Sequence, residues 1–348
     1  MNELDRYDYE LPRELIAQAP LHMRADARLL VVDRADASIE HRHVRDLPEL
    51  LREGDCLVVN DTRVVPARLV GYRTETGGHW EGLFLESGPG GVWRVMGKTR
   101  GKLKPRETIT LLDPAGREAV RLELLARQPD GAWIVRPHSD ADPLSLLERV
   151  GRVPLPPYIR GGEMVEADRA HYQTVYAEKP GAIAAPTAGL HFTERLLGQL
   201  AEHGTDICRL TLHVGAGTFR PIATGTLAEH RLDPEWGRID QAAVDRIERC
   251  RKQGGRVVAV GTTSVRLLET AAADGRLKPY AGKTDLFIRP PFEFQVVDAL
   301  MTNFHLPRTT LLVLVYTFGG EALIRRAYEE AVRERYRFYS YGDAMLIL

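Results

Sequence analysis

The sequence has few cysteines, no excess of charge of one sign and no long apolar run. Its three cysteines, Cys56, Cys208 and Cys250, are far apart, and no pair has the spacing of metal ligands. We therefore expect three buried free thiols in a reducing compartment rather than a disulfide framework. The 47 Lys and Arg residues balance 48 Asp and Glu residues. This balance excludes a uniformly basic nucleic-acid coat but allows a local basic face.

Segments that direct a chain to or across a membrane are not evident either. The longest apolar run, 311–318, is too short to cross a bilayer. Residues 1–10 are polar and acidic and contain no apolar signal-peptide segment. We therefore expect a cytoplasmic protein. The patterns His-Glu-x-x-His, Cys-x-x-Cys and the P-loop do not occur, so we expect neither a metal site nor nucleoside-triphosphate chemistry.

Short β-rich runs recur between residues 64 and 136, with Gly or Pro turns between them. The runs are 64–72, 80–86, 92–96, 108–112, 120–125 and 132–135. Strands at this spacing are typical of a small closed or sandwich-like β domain. Helical pattern resumes at 143 and then alternates with strand pattern. We therefore predict an α/β main domain, discontinuous over 1–65 and 143–348, with an inserted small β-barrel-like domain at 66–142.

The segment 258–266, Val-Ala-Val-Gly-Thr-Thr-Ser-Val-Arg, has the order strand, glycine, hydroxyl cluster, helix. Free N–H groups at a helix start bind anions or polar ligand groups, and Thr262, Thr263 and Ser264 add hydroxyls. A hydroxyl at this position is equally typical of a simple helix cap. The pattern alone favours neither interpretation.

Four further segments place polar side chains beside apolar strands or in small-residue loops. They contribute Asn60 and Arg63, Thr187 and His191, His213, and Asn303 and His305. Polar residues at the carboxyl ends of buried strands are well placed for ligand contacts. Each residue also fits a turn, a packing corner or a structural histidine. The residues therefore predict an α/β enzyme with a polar ligand pocket and leave the reaction open.

A basic stretch lies inside the β-rich region. It contains Arg94, Lys98, Arg100, Lys102, Lys104 and Arg106, with no acidic residue among them. Contact with phosphate requires only clustered positive charge. The density of charge in an otherwise neutral chain favours a nucleic-acid contact, and a solvated loop is the alternative.

Long motifs along nearly the whole chain resemble one family, the S-adenosylmethionine:tRNA ribosyltransferase-isomerases of queuosine biosynthesis. The matching segments are 7–12, 57–68, 154–159, 172–176, 184–193, 210–221, 258–266, 296–307 and 336–345. The match weakens in the β insertion. The resemblance implies an α/β domain paired with a small β-barrel, in agreement with the predicted insertion.

The resemblance also implies a reaction. The enzyme transfers and isomerises the ribosyl moiety of S-adenosylmethionine onto 7-aminomethyl-7-deazaguanine at the wobble position of a tRNA anticodon. The product is epoxyqueuosine, and adenine and methionine are released. S-adenosylmethionine is then a consumed substrate, no cofactor is expected, and the partner is tRNA. A tRNA-binding module without catalytic activity and an ordinary methyltransferase are the alternatives.

Roles for individual residues follow from their membership of these motifs. A histidine suits the base because its pKa lies near operating pH, and the candidates are His213, His191 and His305. The candidates for substrate binding are Asn60, Arg63, Thr187, Thr262, Thr263, Ser264, Asn303 and Asp233. Asp233 stands where the family usually has a histidine, and aspartate shares with histidine only the ability to accept a hydrogen bond or face positive charge. The basic stretch is the expected tRNA contact.

Overall fold

The structure, a computed structural model, describes residues 3–215, 217, 222 and 225–348. The chain divides into two compact units. The first comprises Met1–Arg63, Tyr158–Gly161 and Ala170–Leu348, and the second comprises Val64–Pro157 and Gly162–Arg169. The predicted insertion at 66–142 lies inside the second unit. This unit extends further than predicted because helix Pro143–Val150 packs against strand Glu118–Arg127 of the barrel.

The strands are β1 (Arg28–Val32), β2 (Ile39–His43), β3 (Cys56–Asn60), β4 (Thr62–Val64), β5 (Arg68–Arg73), β6 (His79–Ser87), β7 (Trp93–Thr99), β8 (Thr108–Leu112), β9 (Glu118–Arg127), β10 (Trp133–Pro137), β11 (Lys179–Ala182), β12 (Asp206–Leu212), β13 (Glu235–Ile239), β14 (Val257–Val260), β15 (Tyr280–Thr284), β16 (Ala299–Asn303) and β17 (Ala344–Ile347). The helices are α1 (Leu47–Leu50), α2 (Pro143–Val150), α3 (Asp168–His171), α4 (Glu194–Glu202), α5 (Gln241–Lys252), α6 (Thr262–Ala271), α7 (Thr310–Gly319) and α8 (Glu321–Arg333).

The first unit is built on a nine-stranded mixed sheet in the order β15-β13-β12-β3-β14-β16-β17-β1-β2. Its centre is parallel: β3 pairs in parallel with β12 and β14, and β14 pairs in parallel with β16. Residues of β3, β14 and β16 are buried throughout, as expected for central strands covered on both faces. The four parallel strands therefore end at the same edge of the sheet.

The second unit contains a closed barrel in the order β10-β7-β6-β5-β8-β9, in which every pair is antiparallel. Trp80 fills its interior and is fully buried. A Cβ on Gly82 or Gly97 would lie 2.1 Å or 2.9 Å from the Trp80 ring, so both positions require glycine for the ring to fit. The predicted fold class, an α/β domain with an inserted small β-barrel, is confirmed.

Side chains cap the starts of several helices in the first unit. Thr193 and Asp240 accept backbone N–H bonds at the first turns of α4 and α5. Helix α7 is apolar and almost entirely buried in the first unit. Within the described residues, no helix is long and apolar enough to cross a membrane.

Candidate active site

The edge at which the parallel strands end carries most of the residues proposed from the sequence. Asn60 ends β3, His213 follows β12, Gly261 and Thr262 follow β14, and Asn303 ends β16. Ligands of open α/β sheets bind at the carboxyl ends of parallel strands. The topology thus brings together residues that are more than two hundred positions apart.

Asn60 is fully buried and holds this edge together. Its Oδ1 accepts from the backbone N–H of Leu212 at 3.0 Å and of Thr62 at 3.2 Å. Its Nδ2 donates to the Leu212 carbonyl at 2.9 Å and to Thr263 Oγ1 at 3.3 Å. The amide is therefore committed to β12 and to the start of α6, and Asn60 lines neither of the cavities described below.

The imidazole of His213 is fixed from three sides. Its Nδ1 lies 2.8 Å from Thr62 Oγ1, and its ring stacks on Trp236 with centroids 5.2 Å apart and planes 21° apart. On the third side lies Gly181, which is so close that an added Cβ would be 2.8 Å from the ring. Nε2 forms no hydrogen bond with any described residue. Partial burial lowers the pKa of His213, so the ring is neutral at neutral pH and able to accept a proton.

The contacts of Thr62 indicate which nitrogen of His213 is able to accept a proton. Thr62 Oγ1 also lies 3.5 Å from the Lys179 carbonyl oxygen, to which it can donate. It then accepts the Nδ1–H of His213, and this tautomer leaves Nε2 with its lone pair.

Asn303 is the centre of a second buried network. Its Oδ1 accepts from Thr187 Oγ1 at 2.8 Å. Its Nδ2 donates to the Tyr339 carbonyl and to His191 Nε2, each at 3.2 Å. Burial, together with the nearby charges of Arg24 and Arg337, lowers the pKa of His191 to about 4. The histidine is therefore neutral, in agreement with its role as an acceptor.

His305 lies beside this network. Its Nε2 is 2.8 Å from Thr302 Oγ1, and burial lowers its pKa to about 3. Its backbone N–H donates to Tyr328 Oη at 3.0 Å, and its carbonyl accepts from Tyr9 Oη at 2.5 Å. His305 is thus neutral and held at both backbone groups.

Two adjoining cavities open at this edge. We call the first the threonine cavity; Thr187, Thr262, Thr263, Thr302 and Asn303 are among its lining residues. We call the second the tyrosine cavity; Tyr158, Thr187, Asn303, Tyr339 and Ser340 are among its lining residues. Both are also lined by His305 and Leu311. Apolar side chains with a few hydroxyl and amide groups among them are typical of the lining of small-molecule sites.

The start of α6 contributes to the threonine cavity. Gly261 precedes the helix with φ +84°, a conformation that favours glycine, and Thr262 and Thr263 line the cavity. Ser264 differs, because it is fully buried and its Oγ donates to the Val260 carbonyl at 2.8 Å. Its hydroxyl is used within the helix start.

A buried ion pair supports the loop after His213. Arg266 of α6 donates to a carboxylate oxygen of Glu235, and the other oxygen of Glu235 accepts the backbone N–H of Gly215 at 2.6 Å. Removing one partner of a buried pair leaves an uncompensated charge. Arg266 and Glu235 therefore form a connected support for the loop.

The remaining substrate-binding candidates lie apart from the cavities. Arg63 is half-buried in β4. Asp233 is exposed, and its carboxylate lies against Gly217, where an added Cβ would be 2.5 Å from Oδ2. Burial lowers the pKa of nearby His230, and the charge of Asp233 acts in the opposite direction. The part of the 213–220 motif at residues 216 and 218–220 lies outside the described residues.

The basic stretch lies on the barrel. Lys98 is in β7, and Arg100, Lys102, Lys104 and Arg106 follow in the connection to β8, all of them exposed. No ion pair joins these five to a carboxylate of the described residues. Arg94 differs, because it pairs with Glu86 at 3.1 Å and with Asp130. Its charge is already compensated, so the free positive charge comes from the other five residues.

Several site residues were not singled out from the sequence. Tyr158, Tyr339 and Ser340 line the tyrosine cavity, and Trp236 and Glu235 support His213 and its loop. The tyrosines lie within the motifs at 154–159 and 336–345. Because aromatic residues in such motifs usually belong to the core, no local pattern distinguished them.

Comparisons with known proteins agree on one family. A model of the family described as "Queuosine biosynthesis protein" matches residues 4–347. An S-adenosylmethionine:tRNA ribosyltransferase-isomerase of Symbiobacterium thermophilum is 50% identical over 99% of both chains. The protein of that name from Coxiella burnetii is 48% identical over 98% of this chain and 97% of the relative.

A solved structure extends this similarity to three dimensions. The S-adenosylmethionine tRNA ribosyltransferase of Thermotoga maritima matches with a TM-score of 0.56 and 37% identity, over 99% of this chain and 100% of the other. The match includes both the α/β unit and the barrel. The chain therefore belongs to the queuosine biosynthesis protein family, as its motifs predict.

Proposed function

We propose that this chain is an enzyme that transfers and isomerises the ribosyl moiety of S-adenosylmethionine onto 7-aminomethyl-7-deazaguanine in the tRNA anticodon. Epoxyqueuosine is the product, and adenine and methionine are released. S-adenosylmethionine is a consumed substrate, and no cofactor takes part. The observation that carries this proposal is the pair of cavities at the edge where the four parallel strands end, lined by hydroxyls, an amide and the neutral His305, in a chain of this family.

His213 is the base in this proposal. The sulfonium of S-adenosylmethionine acidifies the adjacent C5′ protons, and a neutral imidazole can remove one of them. The ring is held by its contacts with Thr62 and Trp236 and by the close approach of Gly181. Holding a base in place reduces the entropy lost in reaching the transition state. His191 and His305 have pKa values lowered to about 4 and about 3, which makes them weaker bases. We assign them to binding and orientation.

Binding of the substrates divides between the two units. The threonines at 187, 262 and 263, together with Asn303, offer hydroxyl and amide groups for S-adenosylmethionine. The exposed cations at 98–106 of the barrel contact tRNA phosphates, whose recognition requires no particular base. Arg63 and Asp233 remain candidates for contacts outside the cavities.

The test is product identity. Purified protein is incubated with S-adenosylmethionine and tRNA that carries 7-aminomethyl-7-deazaguanine, with unmodified tRNA as the control. The proposal expects adenine and methionine in equal amounts, and epoxyqueuosine in the tRNA. Release of S-adenosylhomocysteine would indicate a methyltransferase. Tight tRNA binding with no small-molecule product would indicate a binding module without catalysis.

A further inference from the structure

Tyr339 has an unusual backbone conformation for a buried aromatic residue. Its φ is +75°, in the left-handed region that costs a non-glycine residue of order 1–3 kcal/mol. Its N–H donates to the Phe304 carbonyl at 3.2 Å. Its carbonyl accepts from Asn303 Nδ2 at 3.2 Å and from the Gly342 N–H at 2.9 Å. The surrounding structure therefore holds this residue in a conformation that it does not prefer.

The hydroxyl of Tyr339 has no partner. The residue is 5% exposed, and its Oη forms no hydrogen bond with any described residue. An unpaired buried polar group costs about 1–3 kcal/mol. By contrast, the hydroxyl of Tyr158, whose ring lies 4.2 Å from that of Tyr339, is paired with Ser340 Oγ at 2.6 Å. Tyr339, a residue that lines the tyrosine cavity, thus carries both backbone strain and an unpaired donor.

The lining of the tyrosine cavity selects a class of ligand. The described residues that line it include tyrosines, hydroxyl residues, Asn303 and apolar side chains, but no Asp, Glu, Lys or Arg. His305, which also lines it, is neutral because burial lowers its pKa. An uncharged cavity suits neither a sulfonium nor an amino-acid zwitterion, since a buried charge requires a counter-charge. An uncharged heterocycle with ring nitrogens that accept hydrogen bonds matches the polarity of this lining.

We propose that the tyrosine cavity binds the adenine of S-adenosylmethionine and that Tyr339 Oη donates a hydrogen bond to an adenine ring nitrogen. This inference rests on the proposed function, in which adenine is the leaving group. A hydrogen bond to a ring nitrogen stabilises the negative charge that develops on the base as the glycosidic bond breaks. Burial raises the pKa of the Tyr339 phenol, so the donor stays protonated. Tyr339 is then both a binding group and a group that assists departure of adenine.

The test measures binding of free adenine to the protein without tRNA, by calorimetry. Tyr339→Phe keeps the ring and removes the donor, and we expect adenine affinity to fall about fivefold to tenfold, the range of one neutral hydrogen bond. Tyr176→Phe is the matched control, because its buried hydroxyl is also unpaired but does not line either cavity. Adenine affinity that is unchanged in Tyr339→Phe, or reduced equally in Tyr176→Phe, overturns the inference.

Deaza analogues of adenine identify the hydrogen bond directly. Replacing the contacted ring nitrogen by C–H should weaken binding to the wild type but cause no further loss in Tyr339→Phe. If, at every ring position, the affinity lost with the deaza analogue simply adds to the affinity lost in Tyr339→Phe, the inference is overturned. Leu306→Phe, which narrows the tyrosine cavity but not the threonine cavity and leaves Tyr339 unaltered, should also weaken adenine binding. This second variant tests whether adenine binds in the tyrosine cavity even if Tyr339→Phe does not fold.

Turnover separates this inference from the proposed function. In the enzyme assay we expect Tyr339→Phe to release adenine more slowly at saturating S-adenosylmethionine. If the wild type binds adenine through Tyr339 but never releases it from S-adenosylmethionine, the proposed function fails while the adenine site stands. If the wild type is active and adenine binding does not depend on Tyr339, only the present inference fails.

Discussion

His213, His191 and His305 share a side chain but differ in their surroundings. His213 and His305 are half-buried and His191 is buried. Nε2 is hydrogen-bonded in His191 and His305, whereas in His213 only Nδ1 is. Burial lowers the pKa of all three, most strongly for His191 and His305. The same residue type can therefore act as a base at one position and as a neutral hydrogen-bonding group at another.

Replacing His213 by Ala should reduce turnover by about 10²–10⁴-fold, the usual contribution of a general base. In the wild type, kcat/KM should fall on acidification through a value below 6.5, because the pKa of His213 is lowered and only the neutral ring accepts a proton. The rate of adenine release, measured as a function of pH for the variant and the wild type, tests both expectations. Unchanged turnover in a folded His213→Ala variant would remove the residue from the mechanism, and loss of the fold would indicate a structural role.

His191 and His305 should make the fold sensitive to acid. Their pKa values in the folded protein, about 4 and about 3, lie below that of an unfolded histidine, near 6.5. The unfolded chain therefore binds protons first as pH falls. Stability is complete above about pH 6.5 and decreases from there towards pH 4, by up to ~1.4 kcal/mol per pH unit for each histidine. In urea unfolding, the free energy of unfolding should differ less between pH 5 and pH 7 for His305→Gln than for the wild type. His22→Gln, at an exposed position, is the control and should show the same difference in unfolding free energy as the wild type.

Asp233 tests the departure from the family pattern. If the site needs an acceptor or a negative charge, Asp233→His should keep most activity, Asp233→Asn an intermediate amount, and Asp233→Leu little. Because Asp233 is exposed, we expect all three variants to remain folded, and circular dichroism checks this. Full activity of Asp233→Leu would show that the position is peripheral, and His230 would be the next residue to test.

At the scale of elements, strands and caps were more predictable than short helices. All six barrel runs contain strands. Thr193 and Asp240, residue types that favour the position before a helix, cap α4 and α5. The pattern of residues 11–18, with Pro12 in a first turn, predicts a helix, but only a short 3-10 turn at Arg13–Leu15 forms. Ile16 instead forms a bridge with Phe338, a partner that local sequence cannot reveal. Tertiary contacts therefore decided the conformation where the local pattern was weak.

Strand β11 supplies an element-scale prediction. Gly181 has φ +151° and faces the His213 ring, so Gly181→Ala should displace the imidazole and lower turnover while the protein remains folded. Gly198→Ala is the matched control, because Gly198 is an exposed position of α4 with nothing within 4 Å of an added Cβ. It should leave turnover unchanged and stabilise the helix by about 0.5–1 kcal/mol. Equal turnover in the two variants would contradict the proposed constraint on His213.

At the scale of the whole molecule, a net charge of −1 conceals an uneven distribution. The exposed cations at 98–106 have no ion pair with a carboxylate of the described residues, whereas Arg325 and Arg333 of α8 pair with glutamates. A ligand with many phosphates therefore meets an attractive surface on a protein that is otherwise neutral.

Neutralising Lys98, Arg100, Lys102 and Lys104 to Gln should weaken tRNA binding and flatten its dependence on salt, because fewer counterions are released. S-adenosylmethionine binding without tRNA should hardly change. Filter binding at several salt concentrations measures the slope. Arg94→Gln is the control: its charge is already paired with Glu86 and Asp130, so it should alter the slope less than any one of the four. An unchanged slope in the fourfold variant would mean a solvated loop.

The candidate site was predictable only in part. Asn60, Thr187, Thr262, Asn303 and the three histidines follow from polar residues next to apolar strands, because parallel strands end at a common edge. Which atoms remain available was not predictable: Asn60 and Ser264 look like ligands in the sequence but are occupied by the backbone. Tyr339 could not be identified, since a positive φ and an unpaired hydroxyl leave no mark on the sequence.

The order of strands in the large sheet has a consequence for synthesis on the ribosome. Strand β1 pairs with β17, and β16 lies between β14 and β17. The sheet therefore cannot be completed until its last strands have been translated. The barrel strands, β5 to β10, are contiguous in sequence and can fold while the ribosome is still translating the remainder. During that interval the early strands of the sheet have unpaired edges, which are prone to aggregation. A nascent chain arrested before β16 should therefore contain a protease-resistant barrel and no protected β1.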